Sequence, residues 1–567
     1  MSAVDLTASA ANAFVDQLVA EGLADAVVAP GSRSAPLALA FARHGAVRVH
    51  VVLDERSAAF VALGIATASG RAAAVVCTSG TAAVNFHPAV VEAHHARVPL
   101  VVCTADRPPE LQGVGAPQTI DQRRLYGGAL RWFADPGAPD AAADLDRWRE
   151  VAQGAWRAAH GRPPGPAHVN LPWREPLVPA EGQVLAVPRR PPTPPAPPPV
   201  VVESIVDSTT TVVREHPRGV LVLGFGAAVD AGVVDAFTAA TGWPVLADPV
   251  GNGRVGPAAI STYEALARSE TVAAAHRPDA VLRIGAPLTS TATGAWLARA
   301  AHHVLVDTDG VWIDPDRRAT ARVLAEPDAL LGAIADRFGD LAPDPDRVAW
   351  RDSWRAAERV ARAALDAALD ADAAPLEARV ARDVAGALPD GSTLLVASSL
   401  PVRALEWSMR PREGLRVLAN RGANGIDGFT STVIGAALAS AGSPTVALVG
   451  DLCFLHDTNG LLGASARGVD AVFVVVDNDG GGIFAMLPPA REPEFEDLFA
   501  TPHGLDLVAV ARAHGAHAQR VDRAPDVVAA LTRAIEAGGV HVLVVPVDRA
   551  ASVERHRALW DAVAARL

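Results

Sequence analysis

Two groups of acidic and amide side chains stand where apolar runs end. The run TVALVG (445–450) closes on Gly450-Asp451, and AVFVVV (471–476) closes on Asp477-Asn478-Asp479-Gly480-Gly481-Gly482. Asp451 and Asn478 are 27 residues apart. If the two runs are adjacent strands, a carboxylate and a carboxamide meet at their ends. They then offer two hard oxygen ligands, and a backbone carbonyl of the turn, at Gly480, adds a third. That set suits Mg²⁺ or Mn²⁺, which fill their remaining positions with phosphate and water. The three glycines let backbone approach a diphosphate closely. The second group is Leu53-Asp54-Glu55-Arg56, ahead of the helical stretch SAAFVALGIATASG. A carboxylate there ordinarily caps the helix; a second one, Glu55, is left for other work.

Arginine supplies all of the basic chemistry. The 50 Lys+Arg residues include no lysine. Schiff-base catalysis on a lysine is therefore excluded, as is a phosphate loop of the Walker type. Cys77, Cys103 and Cys453 are few, distant and odd in number, which supports neither a zinc site nor a disulfide framework; they read as small buried apolar residues. His87, His94, His95 and His456 have no partner motif that would make any of them a general base.

The elements that must position these residues are short Val/Leu/Ala runs alternating with Ala-rich helical stretches. Runs at 26–30, 47–54, 73–79, 100–106 and 167–173 predict strands of a parallel sheet covered on both faces. PRRPPTPPAPPPV (188–200) can form neither helix nor central strand and predicts a linker. A second set of runs lies at 219–226, 243–249, 280–287 and 303–309, then a charged helical segment from Arg347 to Leu388. A third set lies at 392–399, 416–422, 445–451, 471–479 and 541–548. The fold class is α/β, with three doubly wound parallel-sheet domains in tandem: 1–187, 201–345 and 346–567. In such sheets ligands lie beyond the carboxyl ends of the strands. Gly224-Phe225-Gly226 lacks the third glycine of a dinucleotide loop and predicts close packing instead.

The net charge of −13 argues against nucleic acid or an anionic membrane as partner. The first 22 residues read as an acidic amphipathic helix rather than a signal peptide. No apolar run approaches the ~20 residues that span a bilayer. A cytoplasmic protein is expected.

Gly450-Asp451 with Asn478, Glu55, and CTSGTAAVN (77–85) together resemble the thiamine-diphosphate enzyme superfamily. Leu452 stands where many relatives have glycine, and Asp477 replaces the first of two asparagines. The resemblance implies pyrimidine-binding, central and diphosphate-binding domains in that order. It implies that Glu55 bonds to the cofactor's aminopyrimidine, that Asp451, Asn478 and Gly480 hold the metal, and that the site lies between subunits of a homodimer or homotetramer. APGSRSAPLALA (29–40), ADRPPEL (105–111), QTIDQ (118–122), ASSLPVR (397–403), ANRGANGIDGFTST (419–432), GDLCFLHDTNGLL (450–462) and GGGIFAMLP (480–488) resemble one family of that superfamily, the 2-succinyl-5-enolpyruvyl-6-hydroxy-3-cyclohexene-1-carboxylate synthases. The likeness is weakest in the middle of the chain. It implies decarboxylation of 2-oxoglutarate and addition of the remaining acyl unit to isochorismate, a step of menaquinone biosynthesis. Arg33, Arg107, Arg403 and Arg421 would then bind the substrates' carboxylates bidentately. Ser32, Gln118 and Ser399 would add hydrogen bonds. Ile426, Ile483, Phe484 and Leu487 would contact cofactor and substrate, alongside Gly450. Where the family sometimes carries a lysine, Thr291 stands here, and Arg283 is a candidate replacement. The alternatives are an acetohydroxyacid-synthase-like decarboxylase of the same superfamily and a non-catalytic protein that keeps the fold.

Overall fold

The structure, a computed structural model, describes residues 5–178, 184–186, 188–194, 197–339, 344–440 and 442–567. It bears out the α/β class. Among the described residues there are three sheets, and every strand pair in them is parallel.

The first sheet contains β1 (Asp25–Val28), β2 (Arg48–Val51), β3 (Ala73–Cys77), β4 (Leu100–Asp106), β5 (Trp132–Ala134) and β6 (Pro166–Pro172), in the order β2-β1-β3-β4-β6-β5. The second contains β7 (Gly219–Leu223), β8 (Val245–Ala247), β9 (Ala280–Ile284), β10 (His302–Asp307) and β11 (Ala321–Leu324), ordered β11-β10-β9-β7-β8. The third contains β12 (Ser392–Val396), β13 (Leu415–Leu418), β14 (Thr445–Gly450), β15 (Ala471–Asp477), β16 (His517–Arg520) and β17 (Val540–Pro546). Its order, β13-β12-β14-β15-β17-β16, repeats that of the first sheet strand for strand. The central strands β3, β4, β6 and β12 are buried at every position. That is why they read as unbroken apolar runs. In both six-stranded sheets the chain order reverses beside the first strand, between β1 and β3 and between β12 and β14. Each reversal opens a crevice at the carboxyl ends.

The segment expected to be helical from Arg347 to Leu388 is two helices, Pro345–Asp370 and Glu377–Ala387. Pro375 lies in the break, and the residue before a proline is driven out of helical geometry. Part of the proline-rich segment is docked rather than free. Arg189 pairs with Asp16, the Arg190 amide donates to Gln17 at 2.8 Å, and the Thr193 amide donates to Glu21 at 2.7 Å. Gly224 serves packing, since a Cβ there would lie 1.8 Å from the carbonyl oxygen of Ala286. All three cysteines are free and buried.

The first and third units meet along two helices, Glu55–Ser69 and Phe429–Ala439. A Cβ on Gly64 would sit 2.1 Å from the Thr432 oxygen, and one on Gly435 would sit 2.0 Å from the Val61 oxygen. The backbones touch because neither glycine has a side chain. Phe60, Val61, Phe429 and Val433 seal the seam into one apolar cluster. No helix of the described residues is long and apolar enough to cross a membrane.

Candidate active site

The crevice between β12 and β14 holds a cavity of about 470 Å³. Asp451 follows β14 and heads the helix Asp451–His456. One of its oxygens accepts the amides of Gly480 at 2.7 Å and Asn478 at 3.2 Å, and the other accepts the Leu452 amide at 2.7 Å. Burial pushes its carboxyl above the usual range, so a cation beside it would relieve a real electrostatic cost. Asn478 Oδ1 is buried without a hydrogen-bond partner. Gly480 has φ +135°, and a Cβ there would strike the Ala500 oxygen at 2.1 Å; at Gly482 it would strike the Asn478 amide at 2.3 Å. An orphaned oxygen, a carboxylate already oriented and a turn that admits no side chain fit a divalent metal and a diphosphate.

His503, which the sequence reading did not weigh, completes this cradle. Its Nε2 lies 3.4 Å from Asp451 and 3.6 Å from Asp477. Its Nδ1 accepts the Leu505 amide at 3.0 Å. The neutral ring therefore carries its proton on Nε2, facing both carboxylates. No motif marks this histidine; only the fold brings it within reach.

Ile426, Ile483, Phe484 and Leu487 line the apolar side of the cavity, and Ser399, Arg403 and Arg421 its polar side. Arg403 donates to the Ser399 carbonyl at 2.6 Å. Burial, then the charge of Arg421, lowers its pKa against the opposing charges of Glu406 and Asp248. Arg421 donates to the hydroxyl of Thr289 at 3.2 Å, and the Thr289 amide is fixed by Asp248 at 2.9 Å. The middle unit thus reaches the cavity through Thr289. Arg283 does not: it donates to the carbonyls of Gly285 and Ile313 within its own unit. Thr291 is exposed. The middle unit also grips the helix Leu400–Ser408 that carries Arg403. Arg254 donates to the carbonyls of Glu406 and Met409 at 2.8 and 3.0 Å, and buried Glu406 accepts the Tyr263 hydroxyl at 2.8 Å.

The matching crevice between β1 and β3 gathers the remaining candidates. Gly31 packs so tightly on Thr78 that a Cβ would lie 2.4 Å from that side chain. Ser32 is exposed beside it and Arg33 is buried, donating to the Trp173 carbonyl at 2.9 Å. Burial, then the charge of Arg107, lowers the Arg33 pKa. Arg107 donates to Ser79 at 3.3 Å. Gln118, with φ +53°, backs onto Gly80, whose amide is held by Gln122 at 2.8 Å. Glu55 begins the helix Glu55–Ser69, capped by Asp54. Its carboxylate accepts no hydrogen bond among the described residues. It does not line the cavity of its own chain. One chain thus presents two crevices of like topology, one lined by Asp451, Asn478 and the glycine turn, the other by Arg33 and Arg107 on the sheet whose second strand leads into Glu55.

Two such crevices define a thiamine-diphosphate enzyme, and family models agree. The "Thiamine pyrophosphate enzyme, N-terminal TPP binding domain" matches residues 8–125, and the C-terminal TPP binding domain matches residues 406–545. The chain is 46% identical over 561 residues to the 2-succinyl-5-enolpyruvyl-6-hydroxy-3-cyclohexene-1-carboxylate synthase of Thermobifida fusca, covering 98% of each. It is 41% identical to the protein of that name from Geobacillus kaustophilus and 43% to that of Myxococcus xanthus, covering 98% of this chain and 97% of each relative. The chain belongs to the 2-succinyl-5-enolpyruvyl-6-hydroxy-3-cyclohexene-1-carboxylate synthase family.

Proposed function

We propose that this enzyme decarboxylates 2-oxoglutarate and adds the resulting four-carbon acyl unit to isochorismate. It would use thiamine diphosphate with Mg²⁺ or Mn²⁺, in a homodimer or a homotetramer. The observation that carries this is Glu55, a free acid at one crevice of a chain whose other crevice holds Asp451 and Asn478, in a protein collinear with the synthases over nearly its whole length.

Asp451, Asn478 and the Gly480 carbonyl would hold the metal, and the metal the diphosphate. Glu55 would hydrogen-bond to the aminopyrimidine and keep a proton on its ring nitrogen. When bound, thiamine diphosphate supplies the electron sink for loss of carbon dioxide and for carbon–carbon bond formation. Arg33, Arg107, Arg403 and Arg421 would neutralise and orient carboxylates, since a guanidinium fork grips a carboxylate through two bonds. Ser32, Gln118 and Ser399 would donate to remaining oxygens. Ile426, Ile483, Phe484 and Leu487 would keep water from the reacting carbons.

Because Glu55 lies outside its own chain's cavity, the acid would come from a second copy. Mixing two inactive variants tests this. Glu55→Gln and Asp451→Asn are each expected to lose most turnover; combined and reassembled, they are expected to regain part of it, because one cleft in a mixed dimer has both groups intact. A mixture as inactive as its parts, together with a monomeric active enzyme in sedimentation, would overturn the reading. Supplying pyruvate alone, against 2-oxoglutarate with isochorismate, separates it from an acetohydroxyacid-synthase-like activity.

A further inference from the structure

The motif GDLCFLHDTNGLL gives Asp451 to the metal cradle, but its second half does something else. Asp457 is fully buried. One of its oxygens accepts the Ser431 amide at 2.7 Å; the other accepts the Ser57 hydroxyl at 3.2 Å and lies 3.7 Å from the Arg56 guanidinium. Asn459 donates its side-chain amide to Asp54 at 2.9 Å. Arg56 donates to the His456 carbonyl at 2.8 Å, and Arg467 to the Val51 carbonyl at 3.2 Å. The end of β2, the cap residue and the two residues after Glu55 are therefore all tied to one segment, 456–467, of the third unit. Glu55 alone in that turn is untied.

A seam between two units needs no such arrangement. The same interface, one helical turn further along, is closed by apolar side chains and bare backbone, and burying a carboxylate costs free energy that apolar contact does not. The first turn of a helix frays when only its cap holds it. A carboxylate that must meet one ring nitrogen cannot tolerate that, because an error of about 1 Å in such a contact costs up to roughly a hundredfold in rate.

We propose that Asp457 and Asn459 are positioning residues that hold the Asp54–Ser57 turn so that Glu55 is aimed at the aminopyrimidine. This rests on the role given to Glu55 above. Asp451 opens one short helix and Asp457 closes it. The segment that seats the diphosphate in one cleft thus also seats the acid that serves the other.

The test uses the full-length enzyme carrying Asn459→Ala with Ser57→Ala. Asn459 is exposed, and the Ser57 change removes a single hydroxyl, so the fold survives. Three quantities are read: deuterium exchange of backbone amides in 51–60 without cofactor, exchange of the C2 proton of bound thiamine diphosphate by NMR, and cofactor affinity with melting midpoint. The expected result is faster amide exchange and C2 exchange slowed roughly ten- to hundredfold, with affinity and midpoint essentially unchanged. Ser57→Thr with Asn459→Gln restores both polar groups and is expected to recover the C2 rate. C2 exchange near the wild-type rate, while Glu55→Gln slows it, overturns the clamp and leaves Glu55 its role. Wild-type exchange in Glu55→Gln overturns both. Affinity and melting falling in step with exchange would reduce these contacts to domain adhesion and likewise overturn the proposal.

Discussion

Gly64→Ala is the sharpest probe of the seam between the first and third units. The added carbon would lie 2.1 Å from the Thr432 oxygen and 3.0 Å from the Ala436 nitrogen. A tolerable carbon–oxygen contact is about 3.3 Å, so the helices must part by about 1.2 Å. Both neighbours are backbone and cannot swing aside. Overpacking of this kind costs about 1–3 kcal/mol, which in a chain this long moves the melting midpoint by only a few degrees. Turnover is the more sensitive reporter. Gly64 lies two and a half turns along the helix that begins at Glu55, so a displacement near 1 Å reaches the acid and should lower kcat by roughly a hundredfold. Gly294→Ala is the control: it adds the same methyl within a helix, with nothing within 4 Å, and should leave turnover unchanged and the midpoint equal or slightly raised, since alanine is the better helix former. Steady-state kinetics and thermal denaturation of the three proteins decide the matter. If Gly64→Ala keeps turnover within about twofold of wild type, the coupling between helix spacing and Glu55 argued here is wrong.

Removing the imidazole with His503→Ala should weaken Mg²⁺ or Mn²⁺ binding roughly tenfold or more, and His503→Gln less, because partners of metal ligands act at that scale; calorimetric metal titration with thiamine diphosphate present checks it. Arg421→Met should lower kcat/KM by roughly ten- to a hundredfold, the worth of a charge-assisted bond, and Thr289→Val by a smaller factor through Arg421, both read from initial rates against each substrate. His168 is fully buried, and its pKa is pushed down to about 3 by burial. The unfolded chain, with an ordinary imidazole near 6.5, then binds more protons between those values. The stability contributed by neutral His168 is whole above pH 6.5 and falls by about 1.4 kcal/mol per unit below it. Urea unfolding should therefore show wild type losing about 2 kcal/mol more than His168→Gln between pH 6.5 and pH 5.

The sequence made the central strands legible because burial on both faces leaves only Val, Leu and Ala. The strands it did not disclose are β5, β11 and β16, and each is the edge of its sheet. Residues such as Arg322 in β11 and His517 and Arg520 in β16 face solvent, so no continuous apolar run forms. The helical break at Pro375 was written in the sequence but masked by the strong Ala/Arg pattern on either side. Asp451, Asn478 and the glycine turn were legible because acidic, amide and glycine residues clustered where apolar runs stop stand out in the sequence. Thr289, Glu406, Gln122 and His503 were not, because an ordinary threonine, glutamate, glutamine or histidine acquires its role from chain segments more than a hundred residues away or from a loop that folds back. The sequence offered Arg283 in place of the family lysine; packing turns its guanidinium inward onto carbonyls, and the middle unit instead touches Arg421 through Thr289.

The hold of the middle unit on Arg403 and Arg421 has an evolutionary consequence. Thr289, Asp248 and Arg254 hold the two cavity arginines proposed to bind substrate from outside the units that match the thiamine-pyrophosphate-binding models. On that proposal, change in this unit would retune which acids are accepted while Glu55, Asp451 and Asn478 stay untouched. The middle unit is thus the one best placed to diversify, and swapping it between homologues would test whether substrate preference moves with it.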